Sequence, residues 1–278
     1  MRGVVGGGMV SVFEERGLSD AFDSIHGSSA GACAAAYFAA KQARTGVQIY
    51  YEDINNRRFI DPLRLILGRP AMDKDFLIDT VMRNKKPLDV NKIVENPNFL
   101  YITTTNATTG EELVVGRFRD ADHFFQILKA TITMPVIAGS PVEVGDLKIF
   151  DGGLVQQIPL KSAIDVGATH VLVLMGRKAN ELQRTSRNHR WHMPSIVLGA
   201  IYGSVIADLY RKKNDGINLI LDQIQSKQAP NGARIDSIVR SATSIEIGRL
   251  TTDTDILKRA DCDSREAALA YLDGLSNS

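Results

Sequence analysis

Residues 27–31 of this chain, Gly27-Ser28-Ser29-Ala30-Gly31, constrain its fold more than any other stretch. They spell G-x-S-x-G between a segment that can form a short strand, Ala21 to Ile25, and a segment of small helix formers, Ala30 to Ala43. A serine at the centre of such a strand-to-helix turn sits on a sharp elbow, with Oγ exposed and a helix N-terminus behind it. That N-terminus favours negative charge developing on a bound substrate. Small residues are expected at Gly27, Ala30 and Gly31 because strand and helix backbones must pass close together there. Ser29 is therefore the candidate nucleophile. A glycine-rich turn without chemistry can carry the same letters, so the rest of the chain has to supply a base.

Around the elbow the pattern alternates strands with helices, which predicts an α/β layered fold. Val10, Phe13 and Leu18, with charges between them, predict a helix that stops at Gly17. Gly6-Gly7-Gly8 lies inside it, and each glycine there costs up to about 1 kcal/mol against alanine. Close packing against the helix after the elbow would explain the run. A dinucleotide-binding turn, with Val4-Val5 as its strand, competes poorly because Ser11 stands where the third glycine belongs. Phe99 to Thr105 and Glu112 to Phe118 read as strands about a turn, and Phe124 to Ala130 as a helix stopping before Pro135. Val142 to Phe150 reads as a hairpin turning at Gly145-Asp146, Leu160 to Val166 as a short helix, and His170 to Met175 as a buried strand. Beyond Gly176, Arg177 to Arg190 is charged and loop-like, Ile196 to Ile224 is largely helical, Ile235 to Ile247 holds one strand, and Ser264 to Leu275 is a helix. This divides the chain into a core over 1–176 and a mostly helical portion of the same domain over 177–278.

Bulk properties exclude several functions. The net charge of +1 over 278 residues gives no electrostatic footprint for nucleic acid or for strong electrostatic membrane binding. Cys33 and Cys262 are far apart, no Cys/His cluster has zinc spacing, and no metal or other cofactor is expected. No secretory signal or membrane-spanning run is legible, which predicts an intracellular protein, cytoplasmic or peripherally membrane-associated.

Five histidines, at 26, 123, 170, 189 and 192, could in principle serve Ser29. The order Ser29, Asp151 and one of His170, His189 or His192 would suit an α/β-hydrolase. That fold, however, sets several strands ahead of its serine, and none of these histidines sits beside another catalytic cue. His26 is expected to point into sheet packing. Asp151 is the better base. It follows the apolar strand end Leu147 to Phe150 and precedes Gly152-Gly153, which permit positive φ and close approach of another backbone. A carboxylate there could take the serine proton directly, making a Ser–Asp dyad. An ordinary turn aspartate is the rival reading.

Taken together, these segments resemble the patatin-like phospholipase family. Arg2-Gly3, a glycine-bearing helix, Glu14-Glu15-Arg16-Gly17-Leu18 and Phe22 to Ala32 are similar to its opening block. Tyr101 to Asn106 with Thr109-Gly110 resembles its middle strand and turn. Lys129 to Pro135 resembles its helix-to-proline segment, with Thr131 where serine is usual. Ile149 to Leu154, Pro159 and Val171 to Met175 resemble its closing block. The resemblance spans roughly residues 1–176 and implies a three-layer α/β/α sandwich. It implies hydrolysis of lipid acyl esters through an acyl-enzyme without a metal, with Ser29 as nucleophile and Asp151 as its base.

The same resemblance aligns Met1-Arg2-Gly3 with the last positions of an oxyanion loop, D-G-G-G-x-R-G. The aspartate and three glycines would precede residue 1, so the chain is expected to start within that loop and to be impaired. A catalytically inactive relative that binds lipid or a partner protein is the alternative. Backbone N–H groups at Arg2, Gly3 and Ala30 remain for the oxyanion. Lipid is the expected partner, and transient contact with a membrane surface fits it. Met134, Val136, Ile137 and Leu63 to Leu67 are candidate groove residues, and Ile196 to Leu209 is expected to be packed core rather than a membrane-contacting helix.

Overall fold

The computed structural model describes residues 1–181 and 192–276, apart from the side chains of 192–194 and 213–214. Its elements in chain order are α1 (Gly3–Glu15), β1 (Ile25–Ser28), α2 (Ala30–Ala39), α3 (Ala43–Glu52), α4 (Asn91–Val94), β2 (Leu100–Asn106), β3 (Glu112–Val115), α5 (Ala121–Thr131), β4 (Val142–Val144), β5 (Leu147–Asp151), α6 (Leu160–Asp165), β6 (His170–Lys178), α7 (His192–Tyr202), α8 (Ser204–Ser226), β7 (Arg234–Arg240) and α9 (Thr254–Ser276). A 3-10 helix, Pro62–Leu67, and a π-helix, Phe76–Lys85, lie between α3 and α4.

The main sheet is built around β2. Six of its seven residues are buried, and because alternate side chains point to opposite faces, both faces are covered. Helices α2 and α5 pack on β2, and α1 packs in turn on α2, α3 and α9. The architecture is therefore α/β, with a mixed sheet and a helical C-terminal region, as the sequence predicts. β6 and β7 form a separate parallel pair whose Val173, Met175 and Ile235 share a second core with Ile217 and Leu221 of α8.

Register decides where the chemistry can sit. Thr103 pairs with Ser28 of β1 and with Val114 of β3, while Thr104 pairs with Leu113 of β3 and with Asp151 of β5. A strand has two hydrogen-bonding edges, so β1 and β5 share the edge opposite β3, one after the other. β1 runs parallel to β2 and β5 antiparallel to it. Their C-terminal ends therefore meet, one at Thr103 and the other at Thr104.

Several expectations need correction. The strand into the elbow starts at Ile25, not Ala21, and includes Gly27 and Ser28. The helix expected over 30–43 stops at Ala39, and α3 follows as a helix of its own after Lys41 turns at φ +57°. β6 is not a buried strand: only Val173 and Met175 of its nine residues are buried. The helix expected from Ser264 starts ten residues earlier, at Thr254. Gly203, at φ +88°, divides the helical stretch after Ile196 into α7 and α8. Leu198, Ile206 and Ala207 are core, but Ile196, Val197 and Ile201 are exposed. Most of the segment Arg177 to Arg190, and the last two residues of the tail, lie outside the described residues. Among the described residues no helix is long and apolar enough to cross a membrane.

The glycine run is helical, which removes the dinucleotide-turn reading, and it serves different neighbours from the one expected. A Cβ on Gly6 would stand an ordinary 3.9 Å from Ala34 of α2, whereas one on Gly7 would press on Val47 of α3 at 3.1 Å. A Cβ on Gly8 would lie 2.3 Å from Ser264 Oγ and 2.7 Å from Asp261 Oδ1 of α9. Gly8 thus lets α9 come close enough for Asp261 to pair with Arg44 at 2.8 Å and to accept from Tyr51 Oη at 3.3 Å. Urea denaturation should separate the two ends of the run. Gly8→Ala is expected to destabilise by about 1–3 kcal/mol through overpacking. Gly6→Ala is expected to be neutral or stabilising by up to about 1 kcal/mol, the helix-propensity gain.

Candidate active site

Ser29 occupies the turn between β1 and α2 with φ +55° and ψ −132°. A residue with a Cβ rarely adopts a positive φ, and such strain collects at functional sites. The turn needs glycine just before it: a Cβ on Gly27 would lie 2.6 Å from Ala32 Cα and 2.8 Å from its nitrogen. Backbone atoms cannot move aside as a side chain can. Gly31 is different. It is exposed, and a Cβ there would meet nothing within 4 Å, so the expectation that its smallness serves packing is wrong. Ala30 does sit at a close approach, since a Cβ on Gly3 would come within 2.8 Å of its own. That contact sets the first turn of α1 beside the elbow. Arg2, at the N-cap of α1, is exposed.

Where the ends of β1 and β5 meet, Ser29 Oγ donates to Asp151 Oδ2 at 2.7 Å. Asp151 is 1% exposed, and its Oδ1 accepts from the Gly153 N–H at 2.7 Å, which fixes the plane of the carboxylate. Gly152 is required for a reason only partly anticipated. Neither it nor Gly153 has positive φ, but a Cβ on Gly152 would lie 2.2 Å from the Thr103 carbonyl oxygen. The close approach was legible; the left-handed turn was not needed, because the two glycines open a short 3-10 turn, Gly152–Leu154.

Three threonines hold the pair in place. Thr131 Oγ1 accepts from the Ser29 N–H at 2.9 Å and donates to the Thr103 carbonyl at 2.7 Å, tying the end of α5 to both strands. Thr105 Oγ1 donates to the Asp151 carbonyl at 2.8 Å, and the Asp151 N–H donates to the Thr133 carbonyl at 3.0 Å. None of the three is exposed. Sequence reasoning noted Thr131 only as a departure from a pattern. No sequence signal marks this role: that Thr105, Thr131 and Thr133 are fully buried, where a polar group needs a partner, is a fact of the fold. Cys33, one turn into α2, was also overlooked as a neighbour. Burial, then the charge of Asp151, pushes its thiol up to about 12, so it stays protonated and inert.

The described histidines are engaged elsewhere. His26 Nδ1 lies 2.6 Å from Ser162 Oγ and Nε2 lies 3.0 Å from Ser24 Oγ, with the ring stacked on Tyr101 at 4.7 Å. Burial lowers its pKa to about 4. His123 Nδ1 accepts from the Arg119 N–H, and His170 Nδ1 pairs with Thr169. His189 and the side chain of His192 lie outside the described residues. Among the described residues no group of three or more His, Cys, Asp or Glu could hold a metal ion.

Of the expected groove residues, Met134, Val136 and Ile137 are half-buried on the loop that leaves Thr133, and Val136 is held at φ +68°. Leu63, Leu65, Ile66 and Leu67 are instead exposed, 41% for Leu65 and 80% for Ile66.

The fold is thus an α/β protein in which a serine at positive φ, set before a helix N-terminus, is hydrogen-bonded to a buried carboxylate at a strand end. The family model for patatin-like phospholipases matches residues 1–164, more than half of the chain, and the chain belongs to that family. The family carries with it a hydrolase of lipid acyl groups and a lipid substrate. No curated protein matches the chain.

Two outcomes are expected. Gly27→Ala should destabilise by about 1–3 kcal/mol, while Gly31→Ala should leave the melting temperature within about 2 °C. The His26 side chain takes a proton near its ordinary value of 6.5 in the unfolded chain but only near 4 in the fold. Its contribution is therefore present above about pH 6.5 and is lost as pH falls toward 4. Urea midpoints measured across that window should fall more steeply for the wild type than for His26→Gln.

Proposed function

We propose that Ser29 and Asp151 form a catalytic dyad that hydrolyses acyl esters of lipids. The observation that carries this reading is the 2.7 Å hydrogen bond from Ser29 Oγ to Asp151 Oδ2, made by a serine held at φ +55°. Asp151 takes the hydroxyl proton as Oγ attacks the ester carbonyl carbon. The tetrahedral intermediate collapses, the alcohol leaves with the proton returned from Asp151, and Ser29 is left acylated. Water, deprotonated by Asp151, then releases the fatty acid and restores the hydroxyl.

Negative charge on the carbonyl oxygen needs backbone donors. The Ser29 N–H is already committed to Thr131. The N–H groups of Ala30 and Gly31 are the first of α2 and have no carbonyl four residues back within the helix. Ala30 and, from α1 across the close contact, Gly3 are the donors this reading assigns to the oxyanion. Thr131 acts through Ser29 by fixing the elbow and is a positioning residue. His26 stays neutral and is not part of the proton path.

A fluorophosphonate probe, with the label located by mass spectrometry, tests the dyad. Label is expected on Ser29, absent in Ser29→Ala and slowed about 10²–10⁴-fold in Asp151→Asn, the usual weight of a general base. Absence of label from the folded wild-type chain, or equal labelling of Asp151→Asn, would overturn the assignment. Thr131→Val leaves the partly buried Ser29 N–H without its acceptor, at a cost of about 1 kcal/mol. It is expected to slow labelling, with Thr131→Ser restoring the rate.

A further inference from the structure

The 3-10 helix Pro62–Leu67 has no buried residue, although its sequence is Pro-Leu-Arg-Leu-Ile-Leu. Leu63 is 52% exposed, Ile66 80% and Leu67 72%. An exposed apolar cluster of this kind marks an interaction surface. It is also built to project. The Asp61 N–H donates to the Ala71 carbonyl at 2.8 Å, and Ile60 bridges Met72 in antiparallel fashion, closing a neck below the tip. Asp61 Oδ1 accepts from the Leu63 N–H and starts the helix, and Gly68, at φ +67°, ends it. Phe59, Ile60 and Ala71 at the neck are buried, so the tip is anchored and the exposure is not that of a frayed segment.

The charge around the tip is one-sided. Residues 57–69 hold Arg57, Arg58, Arg64 and Arg69 against Asp61 alone, in a chain whose net charge is only +1. Arg57 and Arg69 are exposed on either side of the apolar residues. Arg64 donates to the carbonyls of Arg57 and Arg58, which folds the flanking cations about the tip.

The tip is joined to the loop that leaves the dyad. The Met72 N–H donates to the Ile137 carbonyl at 2.8 Å, and Lys74 Nζ donates to the carbonyls of Ala138 and Ser140. On the same loop Tyr202 Oη accepts from the Val136 N–H at 3.4 Å and donates to the Gly139 carbonyl at 3.2 Å. Tyr202 ends α7, whose Ile196, Val197 and Ile201 are 50–63% exposed. Arg249 reaches Met134 Sδ at 4.0 Å, beside Leu250, which is 47% exposed. Three segments that carry exposed apolar residues, two of them with arginines nearby, are thus attached to the 134–140 loop.

We infer that the Pro62–Leu67 tip inserts into the surface of an anionic lipid bilayer, with Arg57 and Arg69 on the headgroups and the exposed side of α7 as a second contact. Apolar insertion combined with cationic headgroup contact is how a protein without a spanning helix holds a membrane. The inference rests on the hydrolase reading for its purpose, delivery of bilayer lipid to Ser29, but not for its test.

Sedimentation with phosphatidylcholine vesicles, with and without 30% phosphatidylglycerol, should be measured on Ser29→Ala protein, so that binding is read without turnover. Binding is expected to be stronger with phosphatidylglycerol and to weaken as salt is raised. Ile66→Ser with Leu67→Ser should weaken it at least tenfold, and Arg57→Gln with Arg69→Gln should remove the preference for the anionic lipid. In the protein with Ser29 intact, the tip variant should hydrolyse a short soluble ester at the wild-type rate while losing turnover on vesicles. Equal vesicle binding by wild type and tip variant would overturn the inference. So would a dimer by sedimentation velocity that the tip variant abolishes, which would assign the surface to a second copy of the chain. Failure of the dyad would instead appear as loss of soluble-ester turnover with vesicle binding intact.

Discussion

The hydrogen bond between Ser29 and Asp151 depends on a property of the sheet before it depends on either side chain. β2 is long enough to pair two strands in succession along one edge, β1 up to Thr103 and β5 from Thr104. Because one is parallel and the other antiparallel to β2, both deliver their last residues to the same gap. The elbow and the D-G-G turn are then close without a loop having to bridge them. Gly27 and Gly152 are the two places where this convergence leaves no room for a Cβ, each against backbone atoms. Thr131, Thr105 and Thr133 satisfy the backbone groups that such an end-to-end meeting would otherwise leave unpaired and buried.

Placing the carboxylate in direct contact with the hydroxyl changes what the site requires. A histidine between them would need its own cavity and its own orienting partner. Here the Gly153 N–H orients the carboxylate, and Thr131 orients the serine backbone. The strain at Ser29 is sustained by the surrounding rigidity: α2 is alanine-rich and buried, and it is held against α1 through Gly3 and Ala30. Stability of the helical layer and geometry of the site are thus linked through a few close backbone contacts.

What could be read from the sequence was what is local or what recurs as pattern. Ser29 was legible because the elbow is a contiguous motif at a change from strand to helix. Asp151 was legible as a candidate because it follows an apolar strand end and precedes two glycines, although an ordinary turn aspartate has the same letters. The threonines were not, since Thr131 meets Ser29 across 102 positions and no periodicity encodes that contact. The glycine run was recognised as needing close packing, but whether its neighbour is α2, α3 or α9 is a tertiary fact. Leu63 to Leu67 look like core or groove by composition. Only the neck at Ile60 and Met72 turns them toward solvent, and the π-helical form of Phe76–Lys85 likewise has no signature in its residues.

The central claim is that a carboxylate alone activates the serine. Turnover of a short soluble ester by five single variants, each replacing one of the five histidines with glutamine, tests it most directly. The account predicts that every variant stays within about tenfold of the wild type, well short of the loss caused by Asp151→Asn, because a general base is worth about 10²–10⁴-fold. A histidine variant that lost as much activity as Asp151→Asn while remaining folded would contradict it, and would put an imidazole back between the serine and the carboxylate.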